Sequence, residues 1–147
     1  MVKMKIKTAF GNDNLVYDDS MKVRTAVFIQ EQQIDAAIEQ DENENRCLYY
    51  VGYIDNKPVT TARVMTTEQG TLVQRVCTLQ EYRHQGLSSQ IFKAIEHNAK
   101  INDVDQVWLF AQDHAQNFYL NNGYKVVGDQ VMEAGVAHHK MIKKLSK

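Results

Sequence analysis

The chain has 147 residues and about 16.9 kDa, the size of one ordinary domain. Because 44% of its residues are hydrophobic and 24% are charged, it can bury a core, and its composition excludes a disordered chain. Seventeen basic and eighteen acidic residues leave a net charge of −1, which gives no overall attraction to nucleic acid or to an anionic membrane. The start of the sequence alternates charged and apolar residues and lacks the apolar stretch of a signal peptide or membrane span, so we expect a cytoplasmic protein.

The first third of the chain is predicted to form a strand and a helix. Residues 3–10 alternate apolar side chains with lysines, as in a half-buried strand. Residues 18–20 supply an N-cap and acidic first turn for a helix that runs to about Gln32. Residues 34–45 are acidic and poor in large apolar side chains, which indicates a short helix and a loop near the surface.

The remaining elements follow from their apolar spacing and from the turn residues between them. Three strands separated by turn residues are predicted at 47–54, 59–67 and 71–79. A long amphipathic helix starts at Gly86, and later segments are predicted as strand 106–111, short helix 115–122, and strands 124–131 and 138–145. This order predicts an α+β fold in a single domain over residues 1–147, with a helix crossing over between the third and fourth of these strands.

The most informative segment is the transition from strand to helix at residues 76–89. The N-terminus of a helix leaves unpaired N–H groups that can bind phosphate. Gly86, Ser88 and Ser89 are small enough to leave this end open, and Arg83 adds a cation. Neither of the two common glycine-rich phosphate motifs is present, so local physics leaves an ordinary helix N-terminus as an equal alternative.

Two motifs at matching positions carry a resemblance to a known family. Residues 83–88, Arg-His-Gln-Gly-Leu-Ser, resemble the [QR]-x-x-G-x-[GA] motif of the GNAT superfamily of N-acetyltransferases, with Ser88 in place of Gly or Ala. Residues 112–124 resemble the second motif, N-x-x-A-x-x-x-Y-x-x-x-G-[FY], with Gln112 in place of Asn. Residues 23–32 and 133–141 are similar to the R-x-x-V-F-x-x-E-Q and E-x-G-[IV]-P-H-x-x-M segments of a small bacterial subgroup, with Ala137 in place of Pro. A more distant likeness is to glyphosate N-acetyltransferase.

This resemblance implies a fold and a cofactor. The fold is a three-layer arrangement in which a mixed, mostly antiparallel sheet of six to seven strands is flanked by about four helices. The cofactor is acetyl-CoA, acting as co-substrate without a metal. The residues that the resemblance assigns to acetyl-CoA are Val76, Cys77, Thr78, Arg83, His84, Gln85, Gly86, Leu87, Ser88, Ser89, Gln112 and Asn117.

Acetyl transfer to an amine needs a base and an acid, and the sequence offers candidates for both. A primary amine is mostly protonated at neutral pH, so a base helps the reaction. His138 matches the terminal histidine that is taken as the base in glyphosate N-acetyltransferase, which implies a role as base or substrate ligand, and Glu31 is the rival base. Tyr119 matches the family tyrosine and would protonate the departing thiolate of CoA.

Three arginines interrupt apolar patterns and are candidates for the acceptor site. Arg24, Arg63 and Arg75 could hold a carboxylate or phosphate of the acceptor through forked hydrogen bonds. Ion pairs with the acids of residues 35–45 are an equal alternative.

The sequence therefore predicts a cytoplasmic N-acetyltransferase that acts on a small-molecule or peptide amine, without nucleic acid or membrane partners. The expected mechanism is direct attack in a ternary complex rather than acylation of Cys77. A non-catalytic acyl-CoA-binding sensor is the alternative. The five histidines and two cysteines lack the spacing of a metal site, and a homodimer stays open.

Overall fold

The computed structural model describes residues 3–133 and 135–145. Within them, seven strands and four α-helices follow one another in the order that the sequence patterns predict. The strands are β1 (Lys5–Phe10), β2 (Leu48–Ile54), β3 (Lys57–Thr67), β4 (Gly70–Thr78), β5 (Gln106–Gln112), β6 (Lys125–Glu133) and β7 (Val136–Lys144). The helices are α1 (Leu15–Arg24), α2 (Ala36–Glu39), α3 (Leu87–Ile101) and α4 (Gln116–Asn121).

The seven strands form one mixed sheet in the order β1-β2-β3-β4-β5-β7-β6. Antiparallel pairing joins β1 to β2, β2 to β3, β5 to β7, and β7 to β6. β4 and β5 pair parallel, with Thr71 opposite Val107, because α3 carries the chain back to the same end of the sheet. This confirms the predicted α+β class, the mostly antiparallel sheet and the crossover helix.

The first helix starts earlier than predicted, whereas its helical segment ends at Glu31, close to the predicted Gln32. It begins at Leu15, because the side chain of Asn14 accepts a hydrogen bond from the backbone N–H of Tyr17 at 2.8 Å and caps the first turn. The cap predicted at residues 18–20 is therefore wrong, and Ser20 instead lies buried with its hydroxyl 2.7 Å from that of Thr61. Beyond Arg24 the helix continues as a π-helix over Thr25–Glu31. This form is rare in proteins, and where it occurs it is often at a functional site.

The chain divides into two compact units. The first contains the described residues up to Met65 together with Arg75–Ala94, and the second contains Thr66–Gln74 and the described residues from Ile95 onward. In the first unit, one apolar cluster joins the α1 and π-helix segment to β4 through Val23, Val27, Phe28 and Cys77. This cluster fixes the end of β4, where the sequence places the site.

Backbone geometry interrupts β4 shortly before its end. Arg75 adopts a left-handed φ of 57°, a backbone conformation that few residues other than glycine favour. Thr71 and Val73 alternate as buried residues before it, whereas Cys77 and Thr78 are both buried after it. The burial of alternate residues therefore ends at Cys77 and Thr78, shortly after the positive φ of Arg75.

Candidate active site

The end of β4, the loop that follows and the start of α3 lie within the first unit. A short 3₁₀ turn over Gln80–Tyr82 leads from Thr78 into residues 83–86, and α3 begins at Leu87. Leu87 is 2% exposed and anchors the helix in the core, whereas His84, Gln85 and Gly86 are exposed. The anchored helix therefore presents a solvent-accessible loop at its N-terminus.

Gly86 leaves the space above this loop open. Its φ is +78°, a backbone conformation that L side chains rarely adopt, and a Cβ placed on it would meet no heavy atom within 4 Å. Glycine is therefore needed for the backbone conformation, and its missing side chain leaves room for a ligand to approach the main chain.

Arg83 ties this loop to the end of β4 and to the end of the π-helix. Its Nε donates a hydrogen bond to the carbonyl oxygen of Thr78 at 2.9 Å. Its two terminal nitrogens donate to the two carboxylate oxygens of Glu31, at 2.7 and 2.6 Å. Hydrogen bonds from Arg83 lower the pKa of Glu31 below its usual value, which makes this carboxylate a weaker base.

A chain of three hydroxyl groups makes a second connection between α3 and β4. The Thr60 hydroxyl donates to the Cys77 carbonyl oxygen at 3.1 Å and lies 2.8 Å from that of Thr78. The Thr78 hydroxyl lies 2.7 Å from that of Ser88 in the first turn of α3. Because Thr60 has used its only proton on the carbonyl, Thr78 donates to Thr60, and Ser88 donates to Thr78. Thr60 was not predictable from the sequence, since a threonine in a strand gives no signal of its own.

Cys77 is enclosed by the apolar cluster of the first unit. It is 6% exposed, and burial raises the pKa of its thiol above the usual value. A buried thiol that stays protonated is a poor nucleophile. This environment favours the expected direct attack over acylation of Cys77.

The three arginines that interrupt apolar patterns all lie in ion pairs within the first unit. Arg24, which is fully buried, pairs with Glu39 at 2.9 Å and with Glu44 at 2.8 Å. Arg63 and Arg75 pair with acids of the same segment, the partners being Asp41 and Glu44 for Arg63, and Glu39 and Asp41 for Arg75. These contacts match the structural alternative that the sequence left open, and a role of the arginines in binding an acceptor stays a prediction.

Gln112 and His138 face each other across the pairing of β5 with β7 in the second unit. His138 is 8% exposed, and its Nδ1 lies 2.8 Å from the carbonyl oxygen of Val136. A carbonyl only accepts, so Nδ1 carries a proton, and in the neutral form of the ring the free lone pair is on Nε2. That Nε2 lies 4.0 Å from a carboxylate oxygen of Glu133. His138 therefore presents the nitrogen that a general base requires.

The helix α4 carries the two other predicted residues of the second unit. Tyr119 is 7% exposed, and its ring centroid lies 6.0 Å from that of Tyr124 and 5.0 Å from that of Phe118. Asn117 is exposed to solvent. The aromatic contacts fix the orientation of the Tyr119 ring.

Asp113, directly after Gln112, lies at the centre of a hydrogen-bonded cluster that the sequence motifs did not predict. Its carboxylate lies 2.7 Å from Nδ1 of His139 and accepts hydrogen bonds from Gln116 at 3.2 Å and Gln130 at 2.8 Å. The hydrogen bond from His139 is the main cause that lowers the pKa of Asp113. The cluster links β6 and β7 to the turn before α4, within the motif that contains Tyr119.

Two further properties concern the described residues as a whole. Residues 3–133 and 135–145 contain no group of three histidine, cysteine, aspartate or glutamate side chains placed to hold a metal ion. None of the helices in these two segments has the length and apolar character that crossing a bilayer requires.

Comparison with known proteins connects this arrangement to one family. A family model described as the acetyltransferase (GNAT) domain matches residues 13–145. An uncharacterised N-acetyltransferase of Bacillus subtilis, YjcF, is 34% identical over 139 residues, which is 94% of this chain and 99% of that protein.

Solved structures show the same fold. An N-acetyltransferase-type chain from Lactobacillus plantarum has a TM-score of 0.89 and 29% identity, over 97% of this chain and 99% of that one. The PaiA N-acetyltransferase from Thermoplasma acidophilum, crystallised in complex with coenzyme A, has a TM-score of 0.72 and 13% identity, over 97% and 99% of the two chains. The chain is therefore a member of the GNAT family of acetyl-CoA-dependent N-acetyltransferases.

Proposed function

We propose that this enzyme transfers the acetyl group of acetyl-CoA to a primary amine by direct attack in a ternary complex. The observation that carries the proposal is the exposed main chain around Gly86, at the start of a 15-residue helix whose first turn is already fixed to β4. An open, preformed set of N–H groups suits a diphosphate, because no side chain has to move away before it binds.

Main-chain groups are proposed to bind the diphosphate and the thioester of the cofactor, and side chains are proposed to bind its pantetheine arm. The N–H groups of residues 83–89 would bind the diphosphate of acetyl-CoA, and the exposure of His84, Gln85 and Gly86 supports this fit. Arg83 already directs its guanidinium to Glu31 and Thr78, so its role is to position the loop. The backbone of residues 76–78 would receive the thioester, with one N–H polarising its carbonyl. Gln112 and Asn117 are assigned to the pantetheine arm.

His138 is proposed as the general base. It would accept a proton from the attacking amine at Nε2, while its Nδ1–H donates a hydrogen bond to the carbonyl oxygen of Val136. Glu31 is less suited to this step, because Arg83 occupies both of its oxygens and lowers its pKa.

Tyr119 is proposed as the general acid. As the amine nitrogen bonds to the thioester carbon, the carbon–sulfur bond breaks and the sulfur leaves with the electron pair. The Tyr119 hydroxyl then gives its proton to that sulfur, so the products are an amide and free CoA. The buried position of its ring supports this role, since little water would compete for the proton transfer.

The acceptor is assigned only as a primary amine of a small molecule or a peptide. Arg75 is the arginine of the three that keeps appreciable exposure, 24% of its side chain, and is the candidate contact for an acidic group on the acceptor. The single-domain organisation and the cytoplasmic location remain predictions.

A thiol-release assay tests the proposal. Acetyl-CoA is incubated with the enzyme and with amino sugars, amino acids, polyamines and peptide N-termini in turn, and free CoA is measured. Amine-dependent release supports the transferase. Tight acetyl-CoA binding without release for any amine would instead identify a non-catalytic sensor.

A further inference from the structure

We propose that the edge strand β6 pairs antiparallel with β6 of a second copy, which makes the enzyme a two-fold symmetric dimer. β6 is the last strand of the sheet formed by residues 3–133 and 135–145. Eight of its nine residues are exposed, including Val126 at 39%, Val131 at 39% and Met132 at 64%. A long, exposed, partly apolar edge strand is a template for another strand.

The sequence of β6 is complementary to itself when it is read in the opposite direction. In a two-fold antiparallel pair centred on Asp129, Lys125 lies opposite Glu133, Val126 opposite Met132, and Val127 opposite Val131. An opposite-charge pair and two apolar pairs therefore form at each end of the strand, twice by symmetry. This charge complementarity identifies a second copy of the chain as the partner.

The pairing of β6 with β7 shows that these residues share the required faces. Val126 lies opposite Met141 and Met132 opposite Ala137, so both belong to one face of the sheet. Val127 and Val131 lie opposite Lys140 and His138, on the other face. In the proposed pair, each side chain meets its counterpart on the same side of the sheet.

The centre of the strand is set apart from this pairing. The register with β7 shifts between Val127 and Val131, so Gly128, Asp129 and Gln130 form a bulge. The side chain of Gln130 donates to Asp113 of its own chain. The bulge takes Asp129 out of the regular pairing with β7, and the proposed pairing forms one three-residue ladder on each side of the bulge.

The proposed pairing also adds a residue near the candidate base. Glu133 has a carboxylate oxygen 4.0 Å from Nε2 of His138. Lys125 of the second copy would lie beside Glu133, so assembly would place a cation next to this carboxylate. The dimer is independent of the proposed reaction, because it rests on β6 alone.

Sedimentation analysis of a concentration series tests the pairing with charge reversal. Lys125→Glu and Glu133→Lys should each weaken dimerisation at least about tenfold, because each creates two like-charge pairs in the symmetric interface. The double variant Lys125→Glu/Glu133→Lys should recover the dimer with the charges exchanged. Lys5→Glu, the same change on the exposed edge strand β1, is the matched control and should leave the dimer unchanged.

Thermal melting of each variant, followed by circular dichroism, separates loss of assembly from loss of folding. Monomeric single variants that melt as folded proteins, together with a dimeric double variant, support the proposal. Three results would overturn the proposal. The wild type is monomeric at every concentration, both single variants dimerise as strongly as the wild type, or the double variant stays monomeric.

Discussion

The hydroxyl of Ser88, in the first turn of α3, lies 2.7 Å from the hydroxyl of Thr78 at the end of β4. Ser88 stands where the family motif has Gly or Ala, so this contact gives the departure a physical reason. Because Thr78 is also bound through its carbonyl by Arg83, both ends of the loop converge on one residue. The loop is therefore held in place before a ligand binds.

Replacing Ser88 tests whether its hydroxyl supports the loop or contacts the cofactor. Ser88→Ala should lower the free energy of unfolding by about 1 kcal/mol, because one hydrogen bond is lost. The dissociation constant for acetyl-CoA should stay within about threefold of the wild type, since the Ser88 proton points to Thr78. Urea denaturation and calorimetry measure the two quantities.

Thr78→Val is the companion change, because it removes the contacts to Thr60 and Ser88 together. It should cost more stability than Ser88→Ala, about 2 kcal/mol, because donor and acceptor groups are left without their partner. A loss of acetyl-CoA affinity beyond tenfold in Ser88→Ala would instead make its hydroxyl a direct ligand of the cofactor.

Conservative changes at the two candidate bases distinguish them. His138→Asn should lower kcat about 100-fold or more, because the attacking amine loses its proton acceptor. Glu31→Gln should keep kcat within about threefold, because Arg83 already lowers the pKa of this carboxylate. His139→Asn is the matched control. Steady-state kinetics with the best amine of the screen measures kcat for each variant. A large loss in Glu31→Gln with little change in His138→Asn would identify Glu31 as the base.

Tyr119→Phe tests the general acid with the loss of a single oxygen. We expect kcat to fall, because the thiolate of CoA would leave without a proton donor, while the affinity for acetyl-CoA changes little. The ring contacts with Tyr124 and Phe118 are retained, so the melting temperature should stay close to that of the wild type. Unchanged turnover would remove Tyr119 from the mechanism.

The stability of the enzyme should fall in acid through Glu44. Burial opposes its ionisation, but hydrogen bonds from Arg24 and Tyr49 outweigh this and lower its pKa from 4.5 to about 2. A lowered pKa in the folded state adds stability that is complete above about pH 4.5 and is lost as the pH falls towards 2. Glu44→Gln should be less stable at neutral pH by roughly 3 kcal/mol, because it removes one of the two carboxylates that pair with the buried Arg24.

Urea denaturation at a series of pH values measures this effect. Between about pH 4.5 and 2, the stability of Glu44→Gln should depend less steeply on pH than that of the wild type. Glu42→Gln, at an exposed carboxylate of the same segment, should behave like the wild type. If the free energy of unfolding depends on pH equally steeply in Glu44→Gln and in the wild type, Glu44 is excluded as the source of the acid sensitivity.

Most of the fold was predictable, because each strand and the long helix leave a regular apolar pattern. The turn at Asp55 and Asn56 is an example, since both residues adopt the positive φ that a tight hairpin needs and that these residue types tolerate. The start of α1 was not predictable from spacing. Asn14 and the acids that follow it are all good caps, and only the packing of Ser20 against Thr61 decides between them.

The candidate site was predictable where a motif marks it and hidden where the contacts are distant in sequence. Gly86 and Ser88 are found from their motif. The partners of the loop are not, because Thr60 and Glu31 lie 18 and 52 residues from Thr78 and Arg83, respectively. The arginines show the same limit, since their sequence context fits an acceptor site and a set of ion pairs equally well.

Titration calorimetry of acetyl-CoA into wild type and Gly86→Glu tests the central claim most directly. We expect wild type to bind and Gly86→Glu to lose at least about 100-fold in affinity, roughly 2.7 kcal/mol, through bulk and repulsion of the diphosphate. Gly11→Glu, at another glycine with positive φ, controls for backbone strain and added charge and should bind like wild type. An unchanged dissociation constant for a folded Gly86→Glu would contradict the assignment of this loop to the cofactor.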